Sequence, residues 1–141
     1  MDKRREKLIK IALVGQPNVG KSLLINALCH SNMKVGNFTG VTVEKAEAST
    51  THKGYTLQII DLPGTYSLYG YSDEEKITKN FVESNDYDLI VNVADSTNLE
   101  RNLLLSAQLL EMQKKMILAL NMSDEAQKEG IKINERVLSA L

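Results

Sequence analysis

The octapeptide Gly15-Gln16-Pro17-Asn18-Val19-Gly20-Lys21-Ser22 restricts this chain more than any other feature. It follows an apolar run at residues 8–14 and precedes Leu23, Leu24, Ala27 and Leu28 at helical spacing, so a strand must turn sharply into a helix. The octapeptide fits G-x-x-x-x-G-K-[ST], and strand, turn and helix are the context in which that pattern has a physical meaning. Gly15 and Gly20 permit turns closed to other residues, which lets successive amide N–H groups point at a phosphate above a helix N-terminus. Lys21 adds a point charge near the outer phosphates, and the Ser22 hydroxyl suits Mg²⁺. Nucleotide contact is therefore expected along the loop and into Leu23. Such a loop does not separate ATP from GTP, nor a kinase from a switch.

The rest of the chain continues the strand-and-helix theme. Residues 41–48 alternate, Lys53-Gly54 marks a turn, and residues 55–60 read as the second strand of a hairpin ending at Asp61. An acid-capped helix is expected at residues 72–83 with Ile77, Phe81 and Val82 on its apolar side, and a strand at 88–94. A helix at 99–113 carries Leu103, Leu104, Ala107, Leu110 and Met112, a buried strand follows at 115–120, and a last helix covers 134–140. Alternating strands and helices predict an α/β fold of the P-loop NTPase kind. Its sheet should be mostly parallel, with one antiparallel edge strand and helices on both faces.

Three segments narrow the chemistry. Asp61-Leu62-Pro63-Gly64 stands at a strand end, where a carboxylate reaches Mg²⁺ through water and a Gly64 amide can sense a terminal phosphate. Asn121-Met122-Ser123-Asp124 stands at another strand end, on the side of an open α/β sheet where ligands bind. There Asp124 can accept from the N1–H and exocyclic amine of guanine, a pattern adenine does not offer, whereas Asn121 and Ser123 could equally cap a helix. The loop at 35–44 contains Gly40-Val41-Thr42-Val43-Glu44, a stretch suited to nucleotide contact. Thr42 is placed to complete the Mg²⁺ shell with a terminal phosphate present and to release after hydrolysis. The plain reading of Thr42 is a β-branched strand residue.

Composition bounds these readings. With 141 residues, one domain is expected, and 43% hydrophobic and 25% charged residues argue against disorder. The net charge of -1 provides no global field for nucleic acid, and the basic cluster at Lys3, Arg4, Arg5 and Lys7 reads as a solvated run. No stretch reaches the roughly twenty apolar residues needed to span a bilayer. Cys29 is the only cysteine and excludes an internal disulfide. Cys29, His30 and His52 lack metal-ligand spacing, and Asp73, Glu74 and Glu75 suit a helix's first turn better than an acid/base pair.

At Val35-Gly36-Asn37, Gly40-Val41-Thr42-Val43-Glu44, Asp61-Leu62-Pro63-Gly64-Thr65-Tyr66-Ser67-Leu68 and Asn121-Met122-x-Asp124-Glu125-Ala126, the chain resembles the cytoplasmic G domain of the bacterial ferrous iron transport protein B (FeoB) family. The similarity runs from about residue 9 to the end, with Met122 where most GTPases carry Lys. The resemblance implies GTP and GDP as ligands, Mg²⁺, and a catalytic group made of Lys21, Asn18, Thr42 and Gly64. It also implies that Asn18 helps hold an activating K⁺, with backbone carbonyls from the 36–41 loop completing the cage. Its partners would be a helical regulatory domain and a transmembrane iron-transport domain, at the cytoplasmic side of the bacterial inner membrane, with no nucleic acid.

Two departures shape the expectation. Thr65 occupies the position where Ras-like GTPases carry a water-orienting Gln, so intrinsic turnover on the order of 10⁻³ per second is expected. The last guanine-contacting Ser-Ala loop of the family is not found, because Ser139-Ala140 lies on a helical stretch with no strand before it. The chain therefore reads as a single GTP-binding domain, incomplete at its C-terminus, with fast nucleotide exchange and an unpaired edge at strand 116–120. The competing readings are a soluble ribosome-assembly or tRNA-modification GTPase and a non-catalytic nucleotide-binding module.

Overall fold

The structure, a computed structural model, describes residues 7–29 and 33–121 together with Lys128. Its elements are β1 (Lys7–Gly15), α1 (Lys21–Cys29), β2 (Met33–Asn37), β3 (Glu44–His52), β4 (Tyr55–Asp61), α2 (Asp73–Ser84), β5 (Leu89–Asp95), a 3-10 turn (Ser96–Asn98), α3 (Leu99–Glu111) and β6 (Met116–Asn121). The expected final helix at 134–140 lies outside the described residues.

Successive side chains of β1 alternate between two cores, which is why its sequence reads as a nearly continuous apolar run. Ala12 and Val14 pack with Ile60, Leu62, Leu68, Val82, Ile90, Leu105 and Leu109, beneath α2 and α3. Leu13 packs with Val19, Ile25, Ala48, Ile59 and Val93, beneath α1. The sheet order is β2-β3-β4-β1-β5-β6. Strands β4, β1, β5 and β6 run parallel, while β3 is antiparallel to both its neighbours. The sheet is thus mostly parallel with an antiparallel pair at one edge, and helices cover both faces.

Three local features differ from the sequence reading. Residues 35–37 belong to β2, where Val35, Gly36 and Asn37 pair with Ala46, Lys45 and Glu44. Their side chains are all exposed, so backbone pairing alone makes this strand and no hydrophobic alternation announces it. Among the described side chains of α1, Ile25 is the one fully buried in the core, whereas Leu23 is 70% exposed. In α3 the buried residues are Asn102, Leu105, Ser106 and Leu109, while Leu104 and Leu110 are 55% and 47% exposed. Following only the leucines turns this helix the wrong way, because half of its buried face is polar.

The start of α2 matches its chemistry. Ser72 caps it by accepting from the Glu75 N–H at 3.1 Å and donating to Glu75 Oε1 at 2.9 Å. Asp73, Glu74 and Glu75 thus occupy the first turn, where the helix dipole favours them.

Candidate functional site

The parallel strands β4, β1, β5 and β6 end at Asp61, Gly15, Asp95 and Asn121, all at one end of the sheet. Connections leave β1 and β5 toward opposite edges, and in open α/β sheets such a point opens a ligand crevice. The loop 15–22 emerges there.

Only one of its two glycines adopts a left-handed conformation. Gly20 has φ +90, and a Cβ on it would overlap the Asn121 side-chain amide. Gly15 is needed for space instead, since a Cβ there would lie 2.8 Å from the Val93 carbonyl oxygen. The other left-handed residue of the loop is Asn18, at φ 65, a conformation Asn tolerates better than most residues. The Asn18 side chain is exposed, whereas Val19 is buried and anchors the loop in the core under α1.

Hydrogen bonds from three directions hold the loop. Asn121 Nδ2 donates to the Val19 carbonyl at 2.8 Å. The buried Gln16 donates from Nε2 to the Arg101 carbonyl at 2.8 Å. Thr65 N–H donates to the Gly15 carbonyl at 3.1 Å. The segment Asp61-Leu62-Pro63-Gly64 is folded onto the loop, because a Cβ on Gly64 would meet Pro17 Cα at 2.9 Å.

Lys21 joins the same two segments. Its Nζ donates to the Leu62 carbonyl at 3.0 Å and lies 3.2 Å from Asp61 Oδ1. Burial raises the Asp61 carboxyl above the usual carboxylate range, Lys21 opposes the rise, and Glu44 adds to it. Despite the ion pair, Asp61 Oδ1 is buried without a well-aligned hydrogen bond among the described residues.

Ser22 and Leu23 are exposed in the first turn of α1. Thr42 is exposed in the turn between β2 and β3, alongside Gly40 at φ +81, half-buried Val41 and Val43, and exposed Glu44. That turn is closed by Phe38 N–H to the Val43 carbonyl at 3.0 Å and Val41 N–H to the Phe38 carbonyl at 3.3 Å. The structure therefore brings together Gly15, Gln16, Pro17, Val19, Gly20, Lys21, Asp61, Leu62, Pro63, Gly64 and Asn121. Among the described residues, no side-chain hydrogen bond or ion pair joins Asn18, Ser22 or Thr42 to that group. Met122, Ser123 and Asp124 lie outside the described residues.

Sequence reasoning missed the polar supports behind the loop. Asn92 in β5 donates from Nδ2 to the Val14 carbonyl at 3.3 Å, and its Oδ1 accepts from the Ser106 hydroxyl. Gln108 of α3 binds the segment after Gly64, accepting from Leu68 N–H at 2.8 Å and donating to Ser67 Oγ at 3.2 Å. The available signal was the polar residues Asn102, Ser106 and Gln108 interrupting a leucine-rich helix. Thr65 is only 2% exposed and its hydroxyl has no partner among the described residues.

A family profile described as ferrous iron transport protein B matches residues 9–141. The chain is 71% identical over 133 residues to the Fe(2+) transporter FeoB of Campylobacter jejuni and 68% identical to that of Helicobacter pylori, covering 94% of this chain in each case. It spans about a fifth of the length of these curated relatives (22% and 21%). Among solved structures, the G domain of the T. maritima FeoB iron transporter superposes with a TM-score of 0.88 at 49% identity, covering 94% of this chain and 81% of that one. The GMPPNP form of the T. maritima cytosolic domain gives a TM-score of 0.90 at 51% identity, covering 94% and 52%. The six-stranded sheet and its helices have the P-loop NTPase fold of those G domains.

Proposed function

Because the chain belongs to the ferrous iron transport protein B family, we propose that it binds GTP, hydrolyses it slowly and thereby regulates or gates a membrane ferrous-iron transporter. The observation that carries this reading is the Asn121–Val19 hydrogen bond, which ties the end of β6 to the phosphate loop. Met122, Ser123 and Asp124 come next in the sequence after Asn121, which supports assigning base recognition to Asp124 alongside phosphate binding by the loop. The GDP and GMPPNP forms of the T. maritima relative support the same ligand class.

The chain's own groups divide the work. Lys21 and the loop amides hold the phosphates, and Lys21 exchanges its protein acceptors for phosphoryl oxygens. Gly64, held against Pro17, offers its amide to the terminal phosphoryl group. Ser22, Thr42 and Asp61 would supply hard oxygen donors of the kind that suits Mg²⁺, Asp61 through water, and the buried Asp61 Oδ1 lacks a well-aligned hydrogen bond among the described residues. When bound, Mg²⁺ supplies neutralisation of charge on the outer phosphoryl oxygens. Asn18, exposed on its left-handed turn, is the side chain assigned to K⁺.

Thr65, the residue after Gly64, is buried and so does not itself orient water, which supports slow turnover. The chain is assigned as a single GTP-binding domain of a larger transporter, facing the cytoplasm at the bacterial inner membrane. A helical regulatory domain and a transmembrane domain would be its partners.

Fluorescence titration with GDP, GTP and ATP analogues, followed by single-turnover hydrolysis with K⁺ or Na⁺, tests the reading. Guanine selectivity and turnover on the order of 10⁻³ per second are expected, faster in K⁺. Equal affinity for adenine nucleotides would refute guanine recognition, and no nucleotide binding would leave only an interaction module.

A further inference from the structure

We propose that Gln108 of α3 is a positioning residue for hydrolysis, clamping the segment after Gly64 so that the Gly64 amide is presented to the terminal phosphate. The proposal rests on the GTPase reading above. Both ends of the Gln108 carboxamide are engaged: Oε1 accepts from Leu68 N–H at 2.8 Å, and Nε2 donates to Ser67 Oγ at 3.2 Å. The two bonds fix each other's sense, because a backbone N–H can be met only by the amide oxygen. Ser67 Oγ also accepts from Tyr69 N–H at 3.1 Å, so the clamp reaches three consecutive residues. The Leu68 side chain lies in the core with Leu105 and Leu109, on the same helix as Gln108.

The other end of the segment is fixed independently. Leu62 N–H donates to the Leu13 carbonyl at 3.1 Å, Thr65 N–H donates to the Gly15 carbonyl at 3.1 Å, and Thr78 Oγ1 donates to the Pro63 carbonyl at 3.3 Å. Between Thr65 and Leu68 only Tyr66 and Ser67 remain, and the Tyr66 ring lies under the Arg101 guanidinium at 4.7 Å. Losing the clamp frees the Leu68 backbone and lengthens the unrestrained stretch that begins at Tyr66, two residues after Gly64, and small misplacements of a group that meets the transition state are costly in rate. GDP has no terminal phosphate for Gly64 to meet, so its binding should not depend on the clamp.

Gln108→Met keeps the length of the side chain and removes both bonds. Gln108→Glu keeps them, since a carboxylate accepts from Leu68 N–H and from the Ser67 hydroxyl. The Met variant should hydrolyse GTP about tenfold more slowly in single turnover, with GDP affinity within about twofold of wild type. Its Leu68 amide should exchange hydrogen faster, and the Glu variant should restore both rate and protection. Should the Met variant not fold, Ser67→Ala removes one of the two bonds and should lower the rate in the same direction.

Unchanged hydrolysis in Gln108→Met overturns the assignment. A parallel fall in GDP affinity also overturns it, since that marks a merely structural residue, and so does a Glu variant as slow as the Met variant. Absence of turnover in the wild-type chain overturns the GTPase reading itself, and this assignment with it.

Discussion

Lys21 Nζ lies 3.2 Å from Asp61 Oδ1 and donates to the adjacent Leu62 carbonyl at 3.0 Å, so one cation joins the phosphate loop to the end of β4. Burial outweighs that attraction and leaves the Asp61 carboxyl raised. A carboxyl raised on folding costs nothing while folded and unfolded states are both protonated. Its cost grows as pH rises from the unfolded pKa through the folded one. Asp61→Asn should therefore raise the thermal midpoint, measured without nucleotide, more at neutral than at acidic pH. A larger gain in acid would contradict this.

Gly20→Ala should destabilise the fold by about 2 kcal/mol, combining a left-handed non-glycine residue with displacement of the Asn121 amide. Nucleotide affinity should fall with it. Denaturant midpoints and a nucleotide titration check the two effects together; a neutral substitution would mean that the Asn121 tether is dispensable.

Asn18→Ala should leave GDP binding nearly intact, because the side chain is exposed and the loop is held through Gln16, Val19 and Thr65. It should remove the rate advantage of K⁺ over Na⁺. An unchanged K⁺/Na⁺ ratio would sink the cation assignment.

Asp124→Asn should weaken guanine nucleotide binding by about two orders of magnitude, the scale of losing two charge-assisted hydrogen bonds. The same change presents one acceptor and one donor, which suits xanthine. Calorimetry with GDP and its xanthine counterpart reads both, and equal GDP affinity in the variant would place base recognition elsewhere.

Ser106→Ala should cost about 1–3 kcal/mol, because Asn92 Oδ1 would be buried without its donor. Urea unfolding gives the value. Asn92→Leu combined with Ser106→Ala should recover part of it, since the orphaned Asn92 Oδ1 is removed along with its donor, although the Nδ2 bond to the Val14 carbonyl goes too.

The mostly parallel α/β sheet and the place of the phosphate loop were legible because both depend on strong local patterns: a strand buried on two faces, glycines at fixed spacing, and Ser72 with Glu75 at a helix start, whereas the strand order came only from the folded sheet. Strand β2 was not, because Val35, Gly36 and Asn37 owe their conformation to pairing with Ala46, Lys45 and Glu44 rather than to burial. The buried face of α3 was also missed, since Asn102 and Ser106 look solvent-exposed until their partners are known. Asn121 was read as a helix cap or base contact, and its bond to Val19 depends on two segments that only the folded sheet brings together.

Leucines occur around much of α3, and Leu104 and Leu110 stand in solvent while Leu105 and Leu109 are buried. A roll of this helix about its own axis would exchange one leucine for another with little loss of apolar contact. The Ser106–Asn92 bond breaks that degeneracy, because only one roll angle places the hydroxyl on the carboxamide. Arg101 and Gln108 turn with the same helix, so that angle also decides whether Gln16 and Leu68 find their partners. Helix α3 is keyed to the sheet like a cam on a shaft, and a single interior hydroxyl sets the timing of both the phosphate loop and the segment that follows Gly64.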